Sequence, residues 1–158
     1  MGSKQILIVE DQAGWRDQLA SPLRRDGYAV TAVENYGGAL EALRQKDYQL
    51  LVIDLSLKPG EPEDREGLEL LKDLAGLKIP AIVMTGVGTL KDEEIARREG
   101  GALSFLEKQN FDISRFRQEV REALRKAEEM EKELATLRAR FLRGEIINLT
   151  ENPLRRAS

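Results

Sequence analysis

Apolar residues along this chain alternate between two rhythms, short unbroken runs and runs spaced three and four residues apart. Gln5-Ile6-Leu7-Ile8-Val9 is an unbroken, largely β-branched run, which predicts a strand buried on both faces. Over residues 13–25, Trp15, Leu19 and Leu23 fall on one helical face, and Gly27 offers a stop. Residues 28–33 predict a second strand, 36–45 a second helix, and 49–53 a third strand that ends on Asp54. A loop rich in Pro, Gly and charge spans residues 57–66, followed by a short helix over 67–74. Strands at 79–84 and 102–106 bracket a helix at 90–98, and a long charged helix runs from about residue 111 to 143. Strands alternating with helices in this way predict an α/β fold, a doubly wound five-stranded parallel sheet with helices on both faces.

In such a sheet the working site lies outside the carboxyl ends of the strands. The residues there are Glu10-Asp11, Asp54, Thr85 and Lys108. Three carboxylates packed together repel one another unless cations lie among them, and Lys108 offsets only one charge. Composition narrows the remaining cation. The 158 residues contain no histidine and no cysteine, so imidazole and thiolate ligands are excluded, as are Ser/His and Cys/His catalytic pairs. A metal here is a hard, oxygen-bound cation, Mg²⁺ or Ca²⁺. A net charge of −3 leaves no basic footprint for direct nucleic-acid binding. No apolar run is long enough for a membrane span, and the first residues lack a signal-peptide pattern, so a cytoplasmic protein is expected.

With Ile6-Leu7-Ile8-Val9-Glu10-Asp11, Leu51-Val52-Ile53-Asp54-Leu55, Met84-Thr85-Gly86 and Phe105-Leu106-Glu107-Lys108, the chain resembles the receiver domain of two-component response regulators over roughly residues 4–125. The resemblance implies a flavodoxin-like sheet of strand order 2-1-3-4-5. It implies Asp54 as phosphoacceptor, with Glu10, Asp11, Asp54 and the Ser56 backbone carbonyl as Mg²⁺ ligands. Thr85 and Lys108 would contact the phosphoryl group, and Thr85 and Phe105 would be the switch residues. A sensor histidine kinase or histidine phosphotransfer protein would be the donor. Because the chain has no histidine, that donor is another molecule.

The chain departs from the family pattern in four places. Gln109 follows Lys108 where the family usually has proline, often cis; a non-proline cis bond costs about 2.5–4 kcal/mol, so a trans bond and a slightly rearranged turn are expected. Phe105 lacks the hydroxyl of the commoner tyrosine. Lys58 to Glu66 lengthen the loop after Asp54, either as a tolerated insertion or as a partial lid or partner-selectivity loop. Val87 is apolar beside the path of a hydrolytic water, which predicts a long-lived phosphoryl group. Trp15, the single tryptophan, suits either a core position or, with Gly14 and Gln18, an anchor for a kinase helix.

From Ile113, apolar residues recur at Phe116, Val120, Ala123, Ala127, Met130, Leu134, Leu137 and Phe141, a heptad seam. Asp112–Arg117, Lys126–Glu131 and Glu133–Arg138 have the charge pairing of a parallel dimer. The early seam residues Ile113, Phe116 and Val120 are expected to pack on the chain's own sheet, and the later ones on a second copy. The expected organisation is a receiver at 4–125, a coiled-coil extension at 126–143 and a linker or tail at 144–158, with Gly144 ending the helix. A stand-alone regulator and one with a following output domain both fit. Rival readings fare worse: an aspartate-nucleophile phosphatase needs a second acid where Ser56 stands, and a nucleotide-binding protein needs a Gly-rich loop where Glu10-Asp11 stand. A phosphorylation-independent dimerisation scaffold is the closer alternative.

Overall fold

The computed structural model describes residues 2–58, 60–61, 63–86 and 88–145. Five parallel strands, β1 (Gln5–Val9), β2 (Ala29–Val33), β3 (Leu50–Ile53), β4 (Ala81–Thr85) and β5 (Ala102–Glu107), form one sheet in the order β2-β1-β3-β4-β5. Five helices alternate with them: α1 (Ala13–Arg25), α2 (Tyr36–Gln45), α3 (Glu66–Leu74), α4 (Leu90–Arg98) and α5 (Ile113–Leu142). The expected fold class and strand order are therefore present. β1, β3 and β4 are buried along their lengths apart from the start of β1, as unbroken apolar runs require when helices cover both faces.

Small differences from the sequence reading have local causes. β4 starts at Ala81 because Lys78 adopts a left-handed φ of 58° after a 3₁₀ turn at Ala75–Leu77, and Pro80 has no N–H to donate to a neighbouring strand. α4 is closed by a capping box, with the Thr89 hydroxyl accepting from the Asp92 N–H and the Asp92 carboxylate from the Thr89 N–H.

The chain divides into two compact units, residues 1–123 and 124–158. In the first, Phe116, Val120 and Ala123 of the seam are buried in the core. Ile113 is not: at the first position of α5 it is 41% exposed, a turn short of the stretch the core covers. In the second unit the helix continues to Leu142 and stops at Gly144, whose φ of 77° suits a residue without a side chain. There Met130, Leu134 and Phe141 expose 40–48% of their surface. The rest of the expected tail, with Asn148, Asn152, Pro153 and Arg155-Arg156, lies outside the described residues.

Candidate phosphoacceptor site

The site follows from sheet register. β1 and β3 are neighbours with Val9 opposite Ile53, so the next residues, Glu10 and Asp54, emerge side by side at the strand ends. Backbone bonds from Glu10 N–H to Val33 O and from Asp54 N–H to Val9 O, both 3.0 Å, extend the ladder to that level. Asp11 follows, and carboxylate oxygens of Glu10, Asp11 and Asp54 all lie within 4.8 Å of one another. This is the point where the chain's crossovers diverge to opposite sides of β1, the position where open α/β sheets build sites.

Lys108 reaches the carboxylates from the end of β5, two strands away across β4. Its ammonium donates to Asp54 Oδ2 at 2.8 Å and lies 2.8 Å from Glu10 Oε2. The Glu10 contact is an ion pair without hydrogen-bond alignment, so Oε2 is buried without an aligned donor among the described residues. The Lys108 side chain passes beside Gly86, where a Cβ would stand 3.9 Å from the Lys108 Cδ, an ordinary contact. Side-chain exposure is 1% for Glu10, 5% for Asp54 and 8% for Lys108. Burial, then the charge of Asp54, pushes the Glu10 carboxyl up to about 8, against the pull of Lys108. Burial alone would push the Lys108 ammonium down, but its contacts with Asp54 and Glu10 outweigh that and hold it above its ordinary value.

Two glycines make the packing around this centre possible. A Cβ on Gly67, in the first turn of α3, would stand 1.7 Å from the backbone oxygen of Asp54. A Cβ on Gly88 would meet Thr85 Cγ2 at 2.7 Å and the Phe105 ring at 2.8 Å. Gly88 thus lets the two expected switch residues approach the same backbone. Thr85 is buried at the end of β4 and lines the cleft with Asp54, whereas Phe105 is half-buried and packed against the core.

The cleft above the carboxylates has a volume of about 520 Å³ and is lined by Asp11, Trp15, Asp54, Ser56, Thr85 and Lys108 among others. Lys58, Gly60 and Glu61 of the long loop also line it, so the insertion sits beside the candidate phosphoacceptor. The loop is fastened internally: the Ser56 hydroxyl donates to Glu61 O at 2.8 Å, and Asp64 accepts from the Leu57 and Glu66 N–H groups. Gly14 and Gln18 are exposed on α1 and Trp15 is half-buried. Val87 lies outside the described residues. No peptide bond among the described residues is cis; Lys108–Asn110 form a 3₁₀ turn.

Sequence reasoning missed Arg16. Its guanidinium donates to the backbone oxygens of Glu10 and Asp11 at 2.9 and 3.0 Å, fastening the acidic pair to α1. A basic residue one turn into the helix that follows two acids was the available signal.

Three clustered carboxylates, one of them driven toward its protonated form, set against one ammonium suit a hard divalent cation with oxygen ligands. Such a site, at the strand ends of a 2-1-3-4-5 sheet, defines a receiver. The chain matches the response regulator receiver domain over residues 6–130 and belongs to that family. It is 33% identical over 128 residues to sporulation initiation phosphotransferase F of Bacillus subtilis, covering 80% of this chain and 94% of that protein. It is 31% identical over 122 residues to the KDP operon transcriptional regulatory protein KdpE of Escherichia coli, covering 77% of this chain. It spans about half of KdpE (51%) and 22% of an NtrX-like putative response regulator of Rickettsia conorii. Among solved structures, a CheY-like receiver domain protein from Methanospirillum hungatei JF-1 superposes with a TM-score of 0.73 at 25% identity, over 82% of this chain and 99% of that one. NtrX from Brucella abortus superposes with a TM-score of 0.75 at 27% identity, over 88% and 30%.

Proposed function

We propose that this receiver takes a phosphoryl group on Asp54 from a phosphohistidine of a sensor histidine kinase or histidine phosphotransfer protein. The observation that carries the reading is the Lys108 ammonium held 2.8 Å from both Asp54 and Glu10 in a buried pocket. An Asp54 carboxylate oxygen attacks phosphorus, the new O–P bond forms as the P–N bond breaks, and the imidazole leaves and is protonated. Positioning and charge neutralisation supply most of the acceleration in such a transfer. Lys108 meets the developing negative charge, and Thr85 offers its hydroxyl to a phosphoryl oxygen. Glu10, Asp11, Asp54 and the Ser56 backbone carbonyl would hold Mg²⁺, which when bound supplies Lewis-acid neutralisation of the phosphoryl oxygens.

Trp15, with Gly14 and Gln18 exposed beside it, forms the face of α1 offered to the donor. Thr85 and Phe105 carry the change outward, and the lengthened loop borders the cleft where a donor must enter. Signalling of this kind belongs to the cytoplasm, and no helix among the described residues is long and apolar enough to cross a membrane. The proposed organisation is a receiver at 4–125 followed by a coiled-coil extension of the last helix at 126–143. The exposed seam residues Met130, Leu134 and Phe141 support a parallel homodimer through that helix.

Incubation with acetyl phosphate and Mg²⁺, followed by intact-mass measurement, tests the reading. One added phosphoryl group, absent from Asp54→Asn, is expected. No addition, or addition that survives Asp54→Asn, would overturn it in favour of a phosphorylation-independent scaffold. Solution mass by light scattering tests the dimer, which Leu134→Asp is expected to abolish.

A further inference from the structure

Lys108 carries the site's only cation contact to Asp54 among the described residues, yet the chain holding it is a short 3₁₀ turn with no proline. That turn ends on a backbone bond from the Phe111 N–H to Lys108 O, at 3.2 Å. Asp54 and Glu10 hold the ammonium itself, and a flexible four-carbon stem connects it to that turn. The Lys108 ammonium lies 5.0 Å from the centroid of the Trp15 ring, within the range in which an aromatic face attracts a cation. Trp15 is itself fixed. Phe111 meets its ring edge-on, at 5.3 Å between centroids and 89° between planes. Phe111 in turn packs against Phe116 at 5.9 Å, and Phe116 is 1% exposed in the core.

We propose that Trp15 is a positioning residue, its ring aiming the Lys108 ammonium at Asp54 and anchored to the core through Phe111 and Phe116. The contact explains why a large aromatic side chain stays half-buried at the mouth of an acidic cleft. It shields the ammonium from water without competing for its N–H donors, which the carboxylates need. It also makes the single tryptophan a neighbour of the group that senses charge at Asp54, so its fluorescence should change on phosphorylation. The role of Trp15 in phosphotransfer rests on the function proposed above; its contact with Lys108 does not.

Trp15→Leu and Trp15→Phe in the full chain separate this from simple packing. With acetyl phosphate and Mg²⁺ in excess, the Leu variant should take phosphoryl about five- to tenfold more slowly, the effect of losing one partly desolvated cation–π contact. The Phe variant keeps an aromatic face and should recover most of that loss. In the wild type the Lys108 Hε resonances should lie upfield from the ring current, and return toward ordinary lysine positions in the Leu variant. A native rate in Trp15→Leu, equal slowing in both variants, or ordinary Lys108 resonances in the wild type would each overturn the proposal. If Trp15→Leu does not fold, the rate of the Phe variant and the wild-type resonances decide. If the wild type takes no phosphoryl on Asp54, the function proposed above fails, and the Lys108 resonances decide the contact alone.

Discussion

Two ion pairs of the receiver unit show the same chemistry in opposite surroundings. On α4, Arg98 donates to Glu94 one turn earlier at 2.7 Å, with the two side chains 75% and 60% exposed. At the end of β5, Lys108 sits 2.8 Å from Glu10 and Asp54 with almost nothing exposed. The distances are nearly equal, yet their consequences are not. Water screens the helix pair and would solvate either partner alone, so the pair adds little. In the pocket, every charge has lost its water and each depends on the others, so removing one leaves the remainder stranded. An excess of buried negative charge costs stability, and a fold keeps such a cluster where it has work to do.

The largest expected effect comes from breaking the buried set. Lys108→Met leaves Glu10 and Asp54 facing each other without a cation, which should cost about 3 kcal/mol in urea unfolding without added metal. A loss no greater than that of Arg98→Met would collapse the comparison. Gly67→Ala attacks the same centre through its backbone, forcing a Cβ to 1.7 Å from Asp54 O. A loss approaching 3 kcal/mol is expected, as for overpacking, with phosphorylation impaired because Asp54 must move.

Asp92 lies between the extremes. Burial pushes its carboxyl up, but Arg65 and the Thr89 cap outweigh burial and hold it below the usual carboxylate range. A depressed folded value contributes stability that is present above the ordinary value of 3.8 and lost as pH falls through the lower folded one. Asp92→Asn should therefore cost about 1 kcal/mol at neutral pH, the net worth of one hydrogen bond, and urea midpoints of wild type and variant should converge in acid. A gap that widens below pH 4 would contradict this assignment. The smallest effect sharpens the contrast: Arg98→Met should change stability by less than about 0.5 kcal/mol, and added salt should hide even that.

Much of the fold is legible in the order of residues. The unbroken run at residues 5–9 and the spacing of Trp15, Leu19 and Leu23 name their elements because burial on two faces and on one leaves different periods. α1, α2 and α4 have the bounds their patterns predict. The gathering of Glu10, Asp11, Asp54, Thr85 and Lys108 was legible too, since parallel strands joined by helices bring their carboxyl ends to one rim. The role of Arg16 was not, because a basic residue in the first turn of α1 is only a hint and residue identity does not specify its partners, two backbone oxygens. Nor was the need for glycine at Gly88, since the atoms that crowd it, Thr85 Cγ2 and the Phe105 ring, come from other elements.

The order of residues thus determined which side chains stand at the strand ends, because alternating apolar runs and helical stripes admit one layered arrangement. Only the tertiary structure decided that Trp15 lies against Lys108 and not wholly in the core, that Ile113 escapes the core its seam neighbours enter, and that Lys58 and Glu61 border the cleft. Those facts depend on distances in the folded chain, most of them between elements far apart in sequence. Periodicity records which face of an element is covered, and carries no information about which atoms cover it.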